Sequence, residues 1–309
     1  MRVDVQDLIR HFGGAKAVDG ISFSVASGQI CGFVGPNGAG KTTTMRIMAT
    51  LDEPTAGDIS LDGTSLVDHP EVARRHIGFV PDSLPEYADM TVHEYLDFFA
   101  RAHGLRGAAR REQVDRVVEF TGVGGLRERL LKDLSKGMKQ RVCLGQALIH
   151  DPGVLILDEP AAGLDPRARI ELRELLFLLA RAGKAVFISS HILAELAEIC
   201  TAVVIIERGR LVESGVLTDI NRRHRHSHRV VVRVTGDAER TAAVAREAPG
   251  VEAVALQADG IQVDIGGDEA VRAALLRHLV ERGCPVLEFR TMEDDLEDVF
   301  MRVTKGEVA

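Results

Sequence analysis

The sequence predicts an α/β fold built on a parallel sheet, followed by a small α+β domain. Three observations predict it. Buried-strand patterns alternate with helical periodicities through the first part of the chain. A glycine-rich loop, GPNGAGKTT at Gly35–Thr43, lies between an apolar strand and a helical stretch. The composition turns polar at Asn221, and a β-α-β-β-α-β order follows, the ferredoxin-like pattern.

The elements follow in order. Ile21, Phe23 and Val25 alternate with Ser22 and Ser24, which reads as a half-buried strand. QICGFV is a buried strand running into glycines, and a helix opens at Lys41. Ile59 and Leu61 mark a short strand before Asp62-Gly63, and HIGFV (His76 to Val80) marks another. Thr91 and Glu94 form a capping box. Val92, Tyr95, Leu96 and Phe99 then recur at helical spacing up to Gly104. Val114, Val117 and Val118 give a second helix closing near Gly122, so residues 90–131 form a mainly helical block.

Alternation then resumes. VLIL is a strand, and Leu172, Leu175, Leu176 and Leu179 mark a helix ending near Gly183. AVFIS is a strand, a short helix starts near Ile192, and AVVII (Ala202 to Ile206) is a strand. NRRHRHSHR (Asn221 to Arg229) has no apolar residue. It reads as a solvated linker or as a basic strip facing lipid head groups or an acidic partner. Beyond it, strands at Val230–Val234, Val251–Leu256, Ile261–Ile265 and around Val286–Phe289 enclose two helices. Leu296, Val299, Phe300 and Val303 predict a last amphipathic helix. The expected division is 1–220, with a helical subdomain over about 85–150, a basic linker at 221–229, and an accessory or regulatory domain at 230–309.

Composition narrows the function. The charge is −8, with 38 basic against 46 acidic residues, which argues against a sequence-independent nucleic-acid binder. No apolar run approaches the roughly 18 residues needed to span a bilayer. The start, MRVDVQDLIR, lacks the apolar core of a signal peptide, so a cytoplasmic location is expected. Cys31, Cys143, Cys200 and Cys284 are scattered, as expected of reduced buried thiols.

The loop fits G-x-x-x-x-G-K-[ST]. Its backbone N–H groups can point at phosphate oxygens, Lys41 can reach the β- and γ-phosphates, and Thr42 can ligate Mg²⁺. VLILDEP supplies the matching carboxylates. Asp158 ends a buried strand and can hold the metal, and Glu159 can polarise a water aimed at the γ-phosphorus. LSKGMKQR (Leu134 to Arg141) opens a basic helix and is a second anion site.

With these residues the chain resembles the ATP-binding subunits of ABC transporters over Val3 to Ile220, in the antibiotic- and polymer-export branch. The resemblance implies a P-loop NTPase of ABC type, with a mixed sheet core and a helical subdomain. Gly35, Pro36, Asn37, Gly38, Ala39, Gly40, Lys41, Thr42 and Thr43 resemble the Walker A loop, and Val154–Asp158 the Walker B strand. Glu159 matches the catalytic glutamate and His191 the switch histidine, with Lys41 beside them in the catalytic set. Phe12 stands where the family stacks an aromatic ring on adenine, and Val18 is assigned to the same nucleotide site. Ser135, Lys136 and Gly137 resemble the signature LSGGQ, and Ala161–Asp165 the D-loop. LEDVF (Leu296 to Phe300) also resembles that export branch. Asp82 replaces a glutamine that ligates Mg²⁺, and reads equally as a turn residue in VPDSLPEY.

The resemblance implies ATP and Mg²⁺ as cofactors and a head-to-tail homodimer with ATP between Gly35–Thr42 of one copy and Ser135–Gly137 of the other. It also implies a separate transmembrane permease, which would hold the chain on the cytoplasmic face of the membrane, and no nucleic acid. The alternative is an ABC ATPase that remodels a nucleic-acid or ribosomal complex. Against it stand the acidic charge, the single ATPase module and the lack of a long coiled-coil insertion.

Overall fold

The computed structural model describes residues 1–82, 89–190, 192–224 and 228–292. The chain opens with β1 (Arg2–Phe12), β2 (Ala15–Ala26), β3 (Ile30–Val34), α1 (Lys41–Met48), β4 (Ala56–Leu61), β5 (Thr64–Ser65), α2 (Pro70–His76) and β6 (Ile77–Val80). Helices α3 (Val92–Ala102), α4 (Gly107–Phe120) and α5 (Lys136–Leu148) follow. Next come β7 (Val154–Leu157), α6 (Pro166–Arg181), β8 (Ala185–Ser189), α7 (Leu193–Ala197), β9 (Ala202–Glu207), β10 (Arg210–Val216) and α8 (Leu217–His224). The chain continues through β11 (His228–Val234), α9 (Ala238–Arg246), β12 (Val251–Gln257), β13 (Gly260–Ile265), α10 (Glu269–Glu281) and β14 (Val286–Met292). It divides into two units, with a break between Leu217 and Thr218.

The first unit holds two sheets. One has the order β10-β9-β3-β8-β7-β6, in which β10 alone is antiparallel to its neighbour, so the core sheet is mixed. Its central strands β3, β7 and β8 are buried at every position, as expected of strands covered on both faces. The other sheet, β2-β1-β4-β5, is antiparallel. One aromatic contact joins the two sheets, and a second lies within the core sheet. Phe23 on β2 meets Phe33 on β3 edge to face at 5.4 Å, and Phe33 meets Phe187 on β8 at 6.0 Å. This fixes β3, the strand that delivers the phosphate loop.

Several elements escaped the sequence pattern. β1 pairs with β2 through three register shifts, between Val5/Leu8, Leu8/Ile9 and Arg10/His11. Each shift resets the period of two, so RVDVQDLIRHF shows no clean alternation. Within the basic segment at 221–229 the described residues are a helix end and a strand start. Helix α8 runs to His224, and β11 starts at His228, whose partner on β13 is Ile265. Ladder hydrogen bonds use backbone groups, so a polar His-Arg pair can begin a strand. The amphipathic helix expected around Leu296–Phe300 lies outside the described residues.

The helical block begins as expected. Thr91 Oγ1 accepts from the Glu94 N–H at 3.2 Å, and Glu94 Oε2 accepts from the Thr91 N–H at 2.8 Å. In the second unit the order β12-β13-β11-β14 is wholly antiparallel, the ferredoxin-like arrangement. Val230, Val232, Ile261, Val263 and Ile265 pack with Ala242, Ala245, Leu275 and Leu279 of its two helices.

Two contacts seat α5 and the segment after it on the sheet. Gly78 on β6 has no room for a side chain, because a Cβ there would lie 2.4 Å from the Ala147 carbonyl oxygen. Just past α5, the His150 ring stacks on His103 at 4.1 Å and donates through Nε2–H to the Ile77 carbonyl at 3.2 Å. Burial, then the neighbouring His103, pull the His150 pKa down to about 4.

Gly78→Ala should therefore lower the unfolding free energy by about 2 kcal/mol in urea titrations, through backbone displacement. His150 is held neutral in the fold, so the unfolded chain takes its proton first. Stability should rise with pH between about 4 and 6.5, the folded and ordinary values of this group. His150→Gln should flatten the slope of unfolding free energy against pH across that window.

Candidate functional site

Three parallel strands end side by side. Phe33 of β3 pairs with Ser189 of β8, and Leu157 of β7 with Ile188. The residues that follow, Gly35 and Asp158, therefore emerge with Ser189 at the carboxyl edge of the sheet, where ligands of open α/β folds bind.

The phosphate loop is shaped by what its glycines exclude. A Cβ on Gly35 would lie 2.2 Å from the Ile206 carbonyl oxygen, so the loop can rest on the end of β9 only because none is there. Gly40 turns the chain into α1 with φ 103°, a backbone that side chains resist. It gives α1 no side-chain cap, and the first turn carries no acidic residue. The first-turn N–H groups and the positive helix end remain open to an anion. Lys41 Nζ donates to the carbonyls of Gly35 at 2.7 Å and Pro36 at 3.1 Å, folding its ammonium back over the loop. Burial lowers its pKa, and the negative charges of Glu159 and Asp158 oppose that shift. This donor set fits a polyphosphate.

Asp158 is only 6% exposed. Its Oδ1 accepts from Thr42 Oγ1 at 3.2 Å and from Ser189 Oγ at 2.7 Å. A buried carboxylate beside a hydroxyl offers oxygen donors, which suit Mg²⁺ rather than a softer metal. Glu159 follows with φ 48°, the left-handed region, rare for a non-glycine residue. Its N–H donates to Ser189 Oγ at 2.9 Å. Ser189 thus ties both carboxylate residues together. The sequence reading passed over it; the available signal was a polar pair, Ser189-Ser190, closing a fully apolar strand.

The other expected residues fall in two places. Phe12 ends β1 and is 48% exposed, with the Arg10 guanidinium 4.5 Å from its ring centroid. Val18 is 1% exposed, so its side chain lies in the core under the loop. Asp82 lies just beyond β6, whose Val80 carbonyl accepts the Asp158 N–H at 2.9 Å. His191 lies outside the described residues. Ser135 caps α5 by accepting from the Met138 N–H at 3.3 Å. Asp165 caps α6, accepting from the Ala168 N–H at 2.9 Å. The space of a Cβ on Gly137 lies 3.2 Å from Ala168 Cβ, and that of one on Gly163 lies 2.8 Å from Lys136 Nζ. Ser135–Gly137 therefore packs on the Ala161–Asp165 turn and on α6, with Lys136 laid across the turn.

Residues 18–162 match the family model described as ABC transporter, and residues 215–304 match that of the ATP-binding protein DrrA1-3-like, C-terminal domain. Nod factor export ATP-binding protein I of Ralstonia nicotianae is 33% identical over 309 residues, 99% of this chain and 94% of its own. Bacitracin transport ATP-binding protein BcrA of Bacillus licheniformis is 33% identical over 98% of this chain and 97% of its own. A solved ATP binding subunit of an ABC transporter has a TM-score of 0.66 at 33% identity, over 72% of this chain and 93% of that one. A dimeric bacterial ABC transporter cassette shares the fold, with a TM-score of 0.64 at 23% identity over 70% of this chain and 98% of its own. Similarity that runs from end to end of two such relatives, through both domains, places this chain in the ABC transporter family as an ATP-binding, ATP-hydrolysing subunit.

Proposed function

We propose that the chain powers export through a separate transmembrane permease, acting as a head-to-tail pair of copies with Mg-ATP at two shared sites. The observation that carries this reading is the split of the anion-binding groups. The open N-terminus of α1 lies at the sheet edge with Asp158 and Glu159. The Ser135–Gly137 segment instead packs against Gly163 and Ala168. Two copies in opposite orientation let each Ser135 face the other copy's Lys41, so one sequence completes both sites. A relative named for Nod factor export supports the direction of transport. Among the described residues no helix is long and apolar enough to cross a membrane, which fits a permease on another chain. Such a partner would place this chain at the cytoplasmic face.

Within each site the residues divide the work. Phe12 offers an exposed ring to the adenine, and Val18 supports the loop from the core. Residues Gly35 to Thr43 bind the phosphates through backbone N–H groups and Lys41. Thr42 and Asp158 would hold Mg²⁺, with Asp82 nearby, and the bound ion would neutralise charge on the β- and γ-phosphates. The Glu159 carboxylate takes the proton of the attacking water. His191, by its family position, would contact the γ-phosphate, and Asp165 would shape the shared interface. The Ser135 hydroxyl and the Gly137 N–H donate to the partner's γ-phosphate.

Glu159→Gln should bind ATP, form a stable ATP-dependent dimer, and turn over at least about 100-fold more slowly than the native chain. Light scattering and phosphate release, with the permease from the neighbouring reading frame co-purified, read both properties. Native turnover in that variant would remove Glu159 from this role.

A further inference from the structure

Glu159 holds an unfavourable backbone conformation, and such residues persist only where their surroundings fix them from more than one side. One side is clear, since Ser189 accepts its N–H. The other is a chain of polar contacts that returns to the same serine pair. From Glu159 the chain turns through hydrogen bonds from the Ala162 N–H to the Glu159 carbonyl at 3.1 Å and from the Leu164 N–H to the Ala161 carbonyl at 3.2 Å. Arg169 on α6 donates through Nε to the Leu164 carbonyl at 3.1 Å. Its Nη1 lies 2.7 Å from Glu195 Oε1 on α7, an ion pair. Ser190 Oγ donates to Glu195 Oε2 at 3.3 Å and accepts the Ile192 N–H at 3.0 Å. Ser190 is peptide-bonded to Ser189, and the ring closes.

We propose that the Arg169–Glu195 pair is a positioning clamp for Glu159. It fixes the far end of the Glu159–Leu164 turn at Leu164 and the Ser189-Ser190 corner at the same time. The two anchors of the strained residue then cannot shift independently. This rests on the role given to Glu159 above. The pair is partly exposed, at 40% and 20% for its side chains, so its worth lies in geometry rather than in global stability. A neighbouring pair separates these effects. Arg173 on α6 also pairs with Glu198, the residue just past α7, beside the same apolar cavity of about 460 Å³, and neither contacts Leu164 or Ser190 among the described residues. The same Ala161–Asp165 turn carries Lys136 beside Gly163.

The test is a double-mutant cycle on the full chain, reading kcat and KM for Mg-ATP together with thermal unfolding. Arg169→Met and Glu195→Ala should each lower kcat by about tenfold, and the double variant should lose no more than the worse single one. KM and the unfolding temperature should stay near native values. Glu195→Gln keeps a side-chain oxygen at the same reach and should recover most of the rate. Arg173→Met should keep the native kcat. Native kcat in Arg169→Met, losses that multiply in the double variant, or an equal loss in Arg173→Met would overturn the clamp. Glu159→Gln in the same assay tells the two failures apart. Slow Glu159→Gln with fast Arg169→Met sinks only the clamp, and fast Glu159→Gln sinks the role of Glu159 and the clamp with it.

Discussion

Everything at the site depends on the register of parallel strands at the carboxyl edge of one sheet. Phe33 opposite Ser189, and Leu157 opposite Ile188, bring three loops to one place: the phosphate loop after β3, the acidic pair after β7 and the serine corner after β8. These strands are buried on both faces, so a slip in any of them would break close packing on both sides of the sheet. The edge-to-face contact of Phe33 with Phe23 and its tilted contact with Phe187 pin the strand that carries the phosphate loop. The chemistry is therefore held by hydrophobic packing that takes no part in it.

That packing also sets the electrostatics. Lys41 and Asp158 are 7% and 6% exposed, and both buried polar groups are hydrogen-bonded. The ammonium of Lys41 leans on two loop carbonyls, and the carboxylate of Asp158 on two hydroxyls. A polyphosphate and a hard cation are what such a preformed arrangement of donors and oxygens accepts.

Much of this was legible in the chain. Glycine spacing, a lysine and a hydroxyl mark the phosphate loop because only those residues can make a bare N–H cradle. The Asp-Glu pair was legible because it ends an apolar run. The capping box at Thr91 and the β-α-β-β-α-β order could be read because each signal is local. The parts that escaped depend on partners distant in sequence. β1 hid behind its bulges, and the basic stretch after Asn221 hid a helix end and a strand start. Lys136 was legible only as part of the signature segment; that its exposed side chain lies beside Gly163 depends on the fold.

By itself the sequence determined the family, the ATP chemistry and the residue types that serve it, because periodicity, glycine placement and charge are properties of neighbours along the chain. Only the tertiary structure decided how those residues are held. It placed Ser189 between Asp158 and Glu159, set Glu159 in the left-handed region, and closed a ring from Leu164 through Arg169 and Glu195 back to Ser190. Those contacts join positions up to 31 residues apart. Such distances close only when strands and helices have packed, so no local pattern announces them.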